Sequence, residues 1–201
     1  MQSLSRPLVL IHGLWDNPNL FNPLLSYLDL KDDEYFSPYI PHRYGRTSLR
    51  SLASYLDKLI DCKYGSICEI DILGFSMGGL ISRIWLQELN GRYRTKRFFT
   101  IGSPHNGTLL AQFIPGLIAR GIADMKIKSN LLSSLNSNYS LLETVECFSF
   151  YCIYDLMVIP GYSACLSIGY KKSLPVISHK GLLRNKQSLS IISKYILPNT
   201  L

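Results

Sequence analysis

Ile67-Cys68-Glu69-Ile70-Asp71-Ile72-Leu73-Gly74-Phe75-Ser76-Met77-Gly78-Gly79-Leu80-Ile81 joins three signals. The apolar run Ile67 to Leu73 predicts a buried strand. Leu80, Ile81, Ile84, Trp85 and Leu89 recur at helical spacing, which predicts a helix starting near Met77 and stopping at Gly91. Between them Gly74-Phe75-Ser76-Met77-Gly78 fits G-x-S-x-G. A reversal this tight from strand to helix leaves no room for side chains at its flanking positions, so the glycines permit a strained turn with one serine at its apex. Short glycine–serine patterns arise by chance; the strand before this one and the helix after it give it weight.

Working outward, Leu8 to Ile11 predicts the first strand, Asn19 to Leu28 a short helix, and Phe36 to Pro41 a weak strand broken by Pro38 and Pro41. Thr47 or Ser48 can cap the next helix, along which Leu52, Tyr55, Leu56, Leu59 and Ile60 form one face. Arg97 to Ile101, Phe148 to Tyr154 and Leu174 to Ile177 read as further strands, and Leu182 to Ile196 as a closing helix. Alternation of this kind predicts an α/β fold: a mostly parallel sheet flanked by helices. With no repeats or linkers, a single domain over 1–201 is expected. The stretch of about 108–146 exceeds a simple crossover and should lie over the C-terminal strand ends, where open α/β sheets bind ligands. It is expected to act as a lid, with Ile114, Leu117, Ile118, Ile122, Met125 and Leu131 on its inner face.

Hydrophobic residues make up 47% of the 201 and charged residues 17%, which excludes a disordered chain. No apolar run approaches the roughly 20 residues of a membrane span. Arg6-Pro7 leads directly into Leu8-Val9-Leu10-Ile11, too short for a signal core and without a small-residue cleavage site, so a cytoplasmic protein is expected. Five cysteines with no C-x-x-C pair argue against a disulfide framework and a zinc knuckle. The net charge of +7 permits attraction to polyanions, but no nucleic-acid module is present and no such partner is expected. Lys126 and Lys128 in the inserted stretch could meet anionic lipid, leaving peripheral membrane contact open. Arg92, Arg94, Lys96 and Arg97 precede a strand and should sit at the opposite end of the sheet.

A serine hydroxyl needs a neighbouring base, and the base an orienting acid. For a serine on such a turn the chain order is Ser, then Asp or Glu, then His. Of the four histidines only His105 and His179 follow Ser76. No suitable acid lies between Ser76 and His105, whereas His179 comes just after the last expected strand. The acids between Ser76 and His179 are Glu88, Asp124, Glu143, Glu146 and Asp155. Glu88 belongs to the helix after the turn, Asp124 to the insertion, and Glu143 and Glu146 precede a strand. Asp155 alone directly follows one. Two amides are then required to face a developing oxyanion. Met77 N–H, next after the serine, is one, and Leu14 N–H, in the loop His12-Gly13-Leu14-Trp15 after the first strand, is the other. His12 precedes the turn and is expected to be structural.

These blocks, together with Gly102-Ser103-Pro104-His105-Asn106-Gly107-Thr108, Asp155-x-Met157-Val158 and His179-x-Gly181-Leu182-Leu183, resemble the small lipases and esterases of the α/β-hydrolase superfamily. The resemblance runs from Ile11 to Leu183 and is nearest to the compact bacterial triacylglycerol lipases and the lipase-like group that includes GPI-inositol deacylases. It implies the α/β-hydrolase fold and carboxyl-ester hydrolysis through an acyl-enzyme on Ser76, with His179 as base, Asp155 as acid, and no metal or organic cofactor. Phe75 stands where many relatives carry histidine.

Trp15, Phe21, Leu109, Met157 and Val158 are expected to line a site for a lipophilic ester, and no cationic pocket is evident. The same triad would also serve an acyltransferase or a thioesterase, and the same cleft a non-catalytic binder of hydrophobic ligands.

Overall fold

The computed structural model describes residues 4–197, so the two ends of the expected 1–201 domain lie outside the described residues. The strands are β1 (Leu8–Ile11), β2 (Tyr35–Phe36), β3 (Ile70–Phe75), β4 (Thr95–Ile101), β5 (Glu146–Tyr151) and β6 (Tyr170–Ser173). The α-helices are α1 (Asn22–Leu28), α2 (Leu49–Tyr64), α3 (Met77–Glu88), α4 (Leu109–Gln112), α5 (Arg120–Ala123), α6 (Asn130–Ser137) and α7 (Lys186–Ile196). The strands form one sheet in the order β2-β1-β3-β4-β5-β6. Every pairing is parallel.

The period-2 alternation of side chains divides the core into two layers. Val9 and Ile11 of β1 and Ile70 and Ile72 of β3 face α2 and α3, where they meet Leu52, Leu56, Leu80, Ile84 and Trp85. Leu8, Leu10, Leu73 and Phe75 face the other way, into Leu24 and Leu28 of α1 and Leu189, Ile192 and Ile196 of α7. Both faces of the sheet are covered, as a parallel sheet requires. At the N-terminal strand ends Arg97 binds the buried Asp71 carboxylate and also donates to the Tyr195 and Ile196 carbonyls at the end of α7. Arg94 pairs with Asp61 and Lys96 with Glu69, while Arg92 of the same cluster lies over the Tyr93 ring.

Several boundaries differ from the sequence reading. Ser48, not Thr47, caps α2, its hydroxyl accepting from Ser51 N–H. The weak strand at Phe36 shrinks to Tyr35–Phe36, because Pro38 and Pro41 cannot donate to a ladder. The last strand is Tyr170–Ser173 rather than Leu174 to Ile177: Leu174 and Val176 are buried, but they anchor a loop to the α7 layer. Its apolar residues make that loop look like a strand, while the true edge strand is exposed and lysine-bearing. A 3-10 turn over Lys180–Leu183 precedes α7.

The chain runs from β1 to β2 on one side, then crosses back to β3 on the other. The C-terminal ends of β1 and β3 therefore flank a topological switch point, the usual ligand crevice of an open α/β sheet. The stretch after β4 splits. Ile122, Met125, Leu131, Leu132 and Leu135 are buried against the α2–α3 layer, whereas Phe113, Ile114, Leu117 and Ile118 face outward. The expected inner face of a lid is thus half core and half exposed rim. No helix among the described residues is long and apolar enough to cross a membrane.

Candidate active site

The turn after β3 is as tight as its glycines suggest. A Cβ on Gly74 would lie 2.3 Å from Gly79 Cα, and one on Gly78 2.0 Å from the Ile11 carbonyl oxygen. Ser76 between them takes φ 53° and ψ −124°, a conformation costing an L-residue on the order of 1–3 kcal/mol. It is held there by its own N–H on the Ile101 carbonyl (2.9 Å) and by Gly79 N–H on its carbonyl (3.1 Å). The packed α3 and β4 thus impose the conformation that lifts Ser76 off the sheet.

Asp155 sits four residues past β5, its carboxylate almost wholly buried. One oxygen accepts from Met157 N–H (2.8 Å) and Val158 N–H (3.2 Å). The other meets His179 Nδ1 at 2.6 Å. A carboxylate there takes the Nδ1 proton as its donor and leaves Nε2 as the imidazole's free basic nitrogen. The His179 ring lies 4.6 Å from the Phe75 ring, and Gly102 beside Ile101 sits against it. The apolar residue at position 75 therefore packs the base in place. Ser76 Oγ makes no hydrogen bond to His179 among the described residues; such contacts tighten on substrate binding.

Gly13 approaches Ser76 so closely that a Cβ on it would lie 2.9 Å from Ser76 Cβ. That brings the loop after β1 beside the serine. Neither Leu14 N–H nor Met77 N–H donates to another group among the described residues. His12 is structural: its Nε2 accepts from Ile40 N–H (2.9 Å), which leaves its Nδ1–H to donate to Gly13 O (3.0 Å). Burial holds its pKa below the ordinary value, so it stays neutral. His105 is fully buried edge-on against Phe98, and burial, with the Arg83 guanidinium nearby, pushes its pKa well down. Of the other acids, Glu143 and Glu146 lie at the N-terminal end of β5, away from Ser76. Glu88 pairs with Arg50 and Asp124 accepts from Leu49 N–H at the start of α2.

The residues expected to line the site divide. Trp15, Leu109 and Met157 are exposed, whereas Phe21 is fully buried with Leu8, Leu10 and Leu24, and Val158 is buried behind the Asp155 loop. Phe21, expected to line the site, is instead turned into the core at the end of the 3-10 turn over Pro18–Phe21. Not anticipated is a cavity of about 560 Å³ beside Asp155, lined by Ile153, Leu156, Ile159, Pro160 and Tyr162. The apolar run on either side of Asp155 was its only sequence signal. No three His, Cys, Asp or Glu side chains converge as a metal site among the described residues.

An all-parallel sheet with a strained serine after β3, an acid after β5 and a histidine after β6 has the layout of the α/β-hydrolase fold, and solved structures agree. Aspergillus fumigatus lipase B superposes with a TM-score of 0.73 at 17% identity, over 98% of this chain but 58% of its own. Bacillus licheniformis lipase BlEst2 in its mature form gives 0.71 at 14% identity, over 96% of this chain and 92% of its own. MGS-MChE2, an α/β hydrolase from a lagoon-sediment metagenome, gives 0.67 at 15%, over 96% and 91%. This chain therefore has the α/β-hydrolase fold. No protein-family model and no curated protein matches its sequence.

Proposed function

We propose that this chain is a serine hydrolase of lipophilic carboxyl esters, with Ser76 as nucleophile. The observation that carries the reading is the 2.6 Å His179–Asp155 pair, whose ring packs on the residue just before the strained Ser76. Ser76 Oγ attacks the ester carbonyl carbon as its proton passes to His179 Nε2. The carbonyl electron pair becomes an oxyanion facing Leu14 N–H and Met77 N–H. Collapse expels the alkoxide, which takes the proton back from His179 and leaves as the alcohol. Water, deprotonated by the same nitrogen, then releases the acid and restores Ser76.

A lipophilic substrate is favoured by the exposed apolar side chains of the β1, β4 and β5 loops. Trp15, Phe113, Leu117, Ile118, Ile153, Leu156 and Met157 are each at least 41% exposed, apolar surface that is costly in water unless lipid covers it. Peripheral contact with a lipid surface follows from the same rim.

Hydrolysis of p-nitrophenyl esters from acetyl to palmitoyl tests this. Turnover lost in Ser76→Ala, with a fluorophosphonate adduct on Ser76 of the wild type, is expected. Equal turnover in both proteins would sink the reading.

A further inference from the structure

The sequence shows no cationic pocket, yet folding makes one. Arg43 and Arg46, in the loop between β2 and α2, meet Arg120 of α5 around a cavity of about 600 Å³. Tyr44, Thr47, Ser48 and Ser51 complete its lining, so every side chain there is cationic or hydroxylic. No carboxylate lines it, and none of the three arginines is ion-paired among the described residues. Arg6, Arg50, Arg94 and Arg97 have acidic partners, while Arg83 and Arg92, also without one, are each held against a tyrosine ring. Three like charges drawn from two separate segments repel one another, and a bound anion relieves that repulsion.

The loop bearing Arg43 and Arg46 packs close to the β1 loop whose Gly13 abuts Ser76. A Cβ on Gly45, between Arg43 and Arg46, would touch Ile122 of α5 and lie 3.4 Å from Leu14, whose N–H faces the oxyanion. A Cβ on Gly121 would lie 2.4 Å from the Thr47 carbonyl oxygen, so α5 is clamped onto this loop. The exposed apolar segment Phe113 to Ile118 ends two residues before Arg120. The exposed apolar segment is thus joined in the chain to Arg120, and the Arg43–Arg46 loop packs against both α5 and Leu14.

We propose that Arg43, Arg46 and Arg120 bind a phosphate group, so that the ester this enzyme takes carries an acyl chain and a phosphate on one molecule. This rests on the hydrolase reading for its meaning, but the pocket itself can be tested without turnover. Guanidinium groups suit phosphate because their forked N–H donors match its oxygens. A soluble acyl phosphoglycerol and a phospholipid head group would present the same chemistry.

The test measures binding by Ser76→Ala protein to vesicles of phosphatidylglycerol and of phosphatidylcholine, with dissolved glycerol phosphate as competitor. The expected result is at least tenfold tighter binding to phosphatidylglycerol. That preference should vanish in Arg43→Gln/Arg46→Gln/Arg120→Gln and survive in Lys58→Gln/Lys171→Gln/Lys172→Gln, which removes equal charge from exposed sites elsewhere. Competition by millimolar glycerol phosphate would mean that one isolated phosphate fills the pocket; resistance to it would mean that the lipid head group is bound at its surface. Arg120→Glu, on the outside of a short helix, gives a second variant and should reverse the preference. An equal loss in both triple variants, a preference that persists without the three arginines, or no preference in the parent protein would overturn the proposal. Turnover in the p-nitrophenyl assay is read separately, so failure of the pocket and failure of the hydrolase reading give different patterns.

Discussion

His179 Nδ1 lies 2.6 Å from one oxygen of Asp155, and the other oxygen of that carboxylate is fixed by the Met157 and Val158 amides. The acid is thus clamped by its own loop before it meets the base. Asp155→Asn keeps an oxygen for those amides but turns an NH₂ toward His179, forcing Nδ1 to accept and placing the imidazole proton on Nε2, where a base is needed. We expect kcat for p-nitrophenyl butyrate to fall by about 10³–10⁴-fold, with the thermal midpoint little changed. A loss of less than tenfold would remove Asp155 from the catalytic set.

Gly78→Ala tests the turn itself. The new Cβ would sit 2.0 Å from a β1 carbonyl oxygen, backbone that cannot move without shifting the sheet. A loss of about 3 kcal/mol or more in urea unfolding is expected, in the range of severe core substitutions. A variant of wild-type stability would show that the turn is looser than described.

Asp71 is buried under Arg97 and Arg6 at the end of the sheet away from the site. Asp71→Asn leaves the Arg97 guanidinium without its counter-charge, which should cost about 3–5 kcal/mol of stability. Activity per folded molecule should be unchanged. Lost activity at full stability would contradict a purely structural role.

His12 and His105 are both held below their ordinary pKa by burial. The unfolded chain therefore binds protons that the native state refuses. Stability is full above the unfolded value near 6.5 and falls as pH drops below it, by at most about 1.4 kcal/mol per pH unit for each histidine. Urea melts between pH 8 and 5 should show the decline, and His105→Phe should make it shallower. An unaltered slope in that variant would mean that His105 takes up its proton in the folded state.

The exposed rim makes a further distinction. Phe113→Ser/Leu117→Ser removes apolar surface that makes no contribution to either core layer. Hydrolysis of dissolved acetyl esters should stay within twofold, while activity on emulsified long-chain esters should drop at least about tenfold, since each side chain withdrawn from lipid forfeits up to about 1.5–3 kcal/mol of burial. Equal effects on both substrates would place these residues in the chemistry instead.

The strand before Ser76, the amphipathic helix after it and the glycines between them are local, and local sequence determined them: a period-2 run, a 3.6-period run and a turn that admits no side chains. Order along the chain also picked out Asp155 and His179, because few acids and histidines follow Ser76. What sequence could not supply were distances between segments. Phe21 and Val158 look like lining residues until the loops are folded and turn them inward. Leu174 to Ile177 looks like a strand because it is apolar, although only Leu174 and Val176 are buried, and by docking onto the α7 layer. Arg43, Arg46 and Arg120 stand 77 positions apart at the extremes and carry no joint signal; only the packing of α5 on the loop before α2 gathers them. Periodicity reports which face of an element is apolar, and tertiary packing alone decides which elements that face meets.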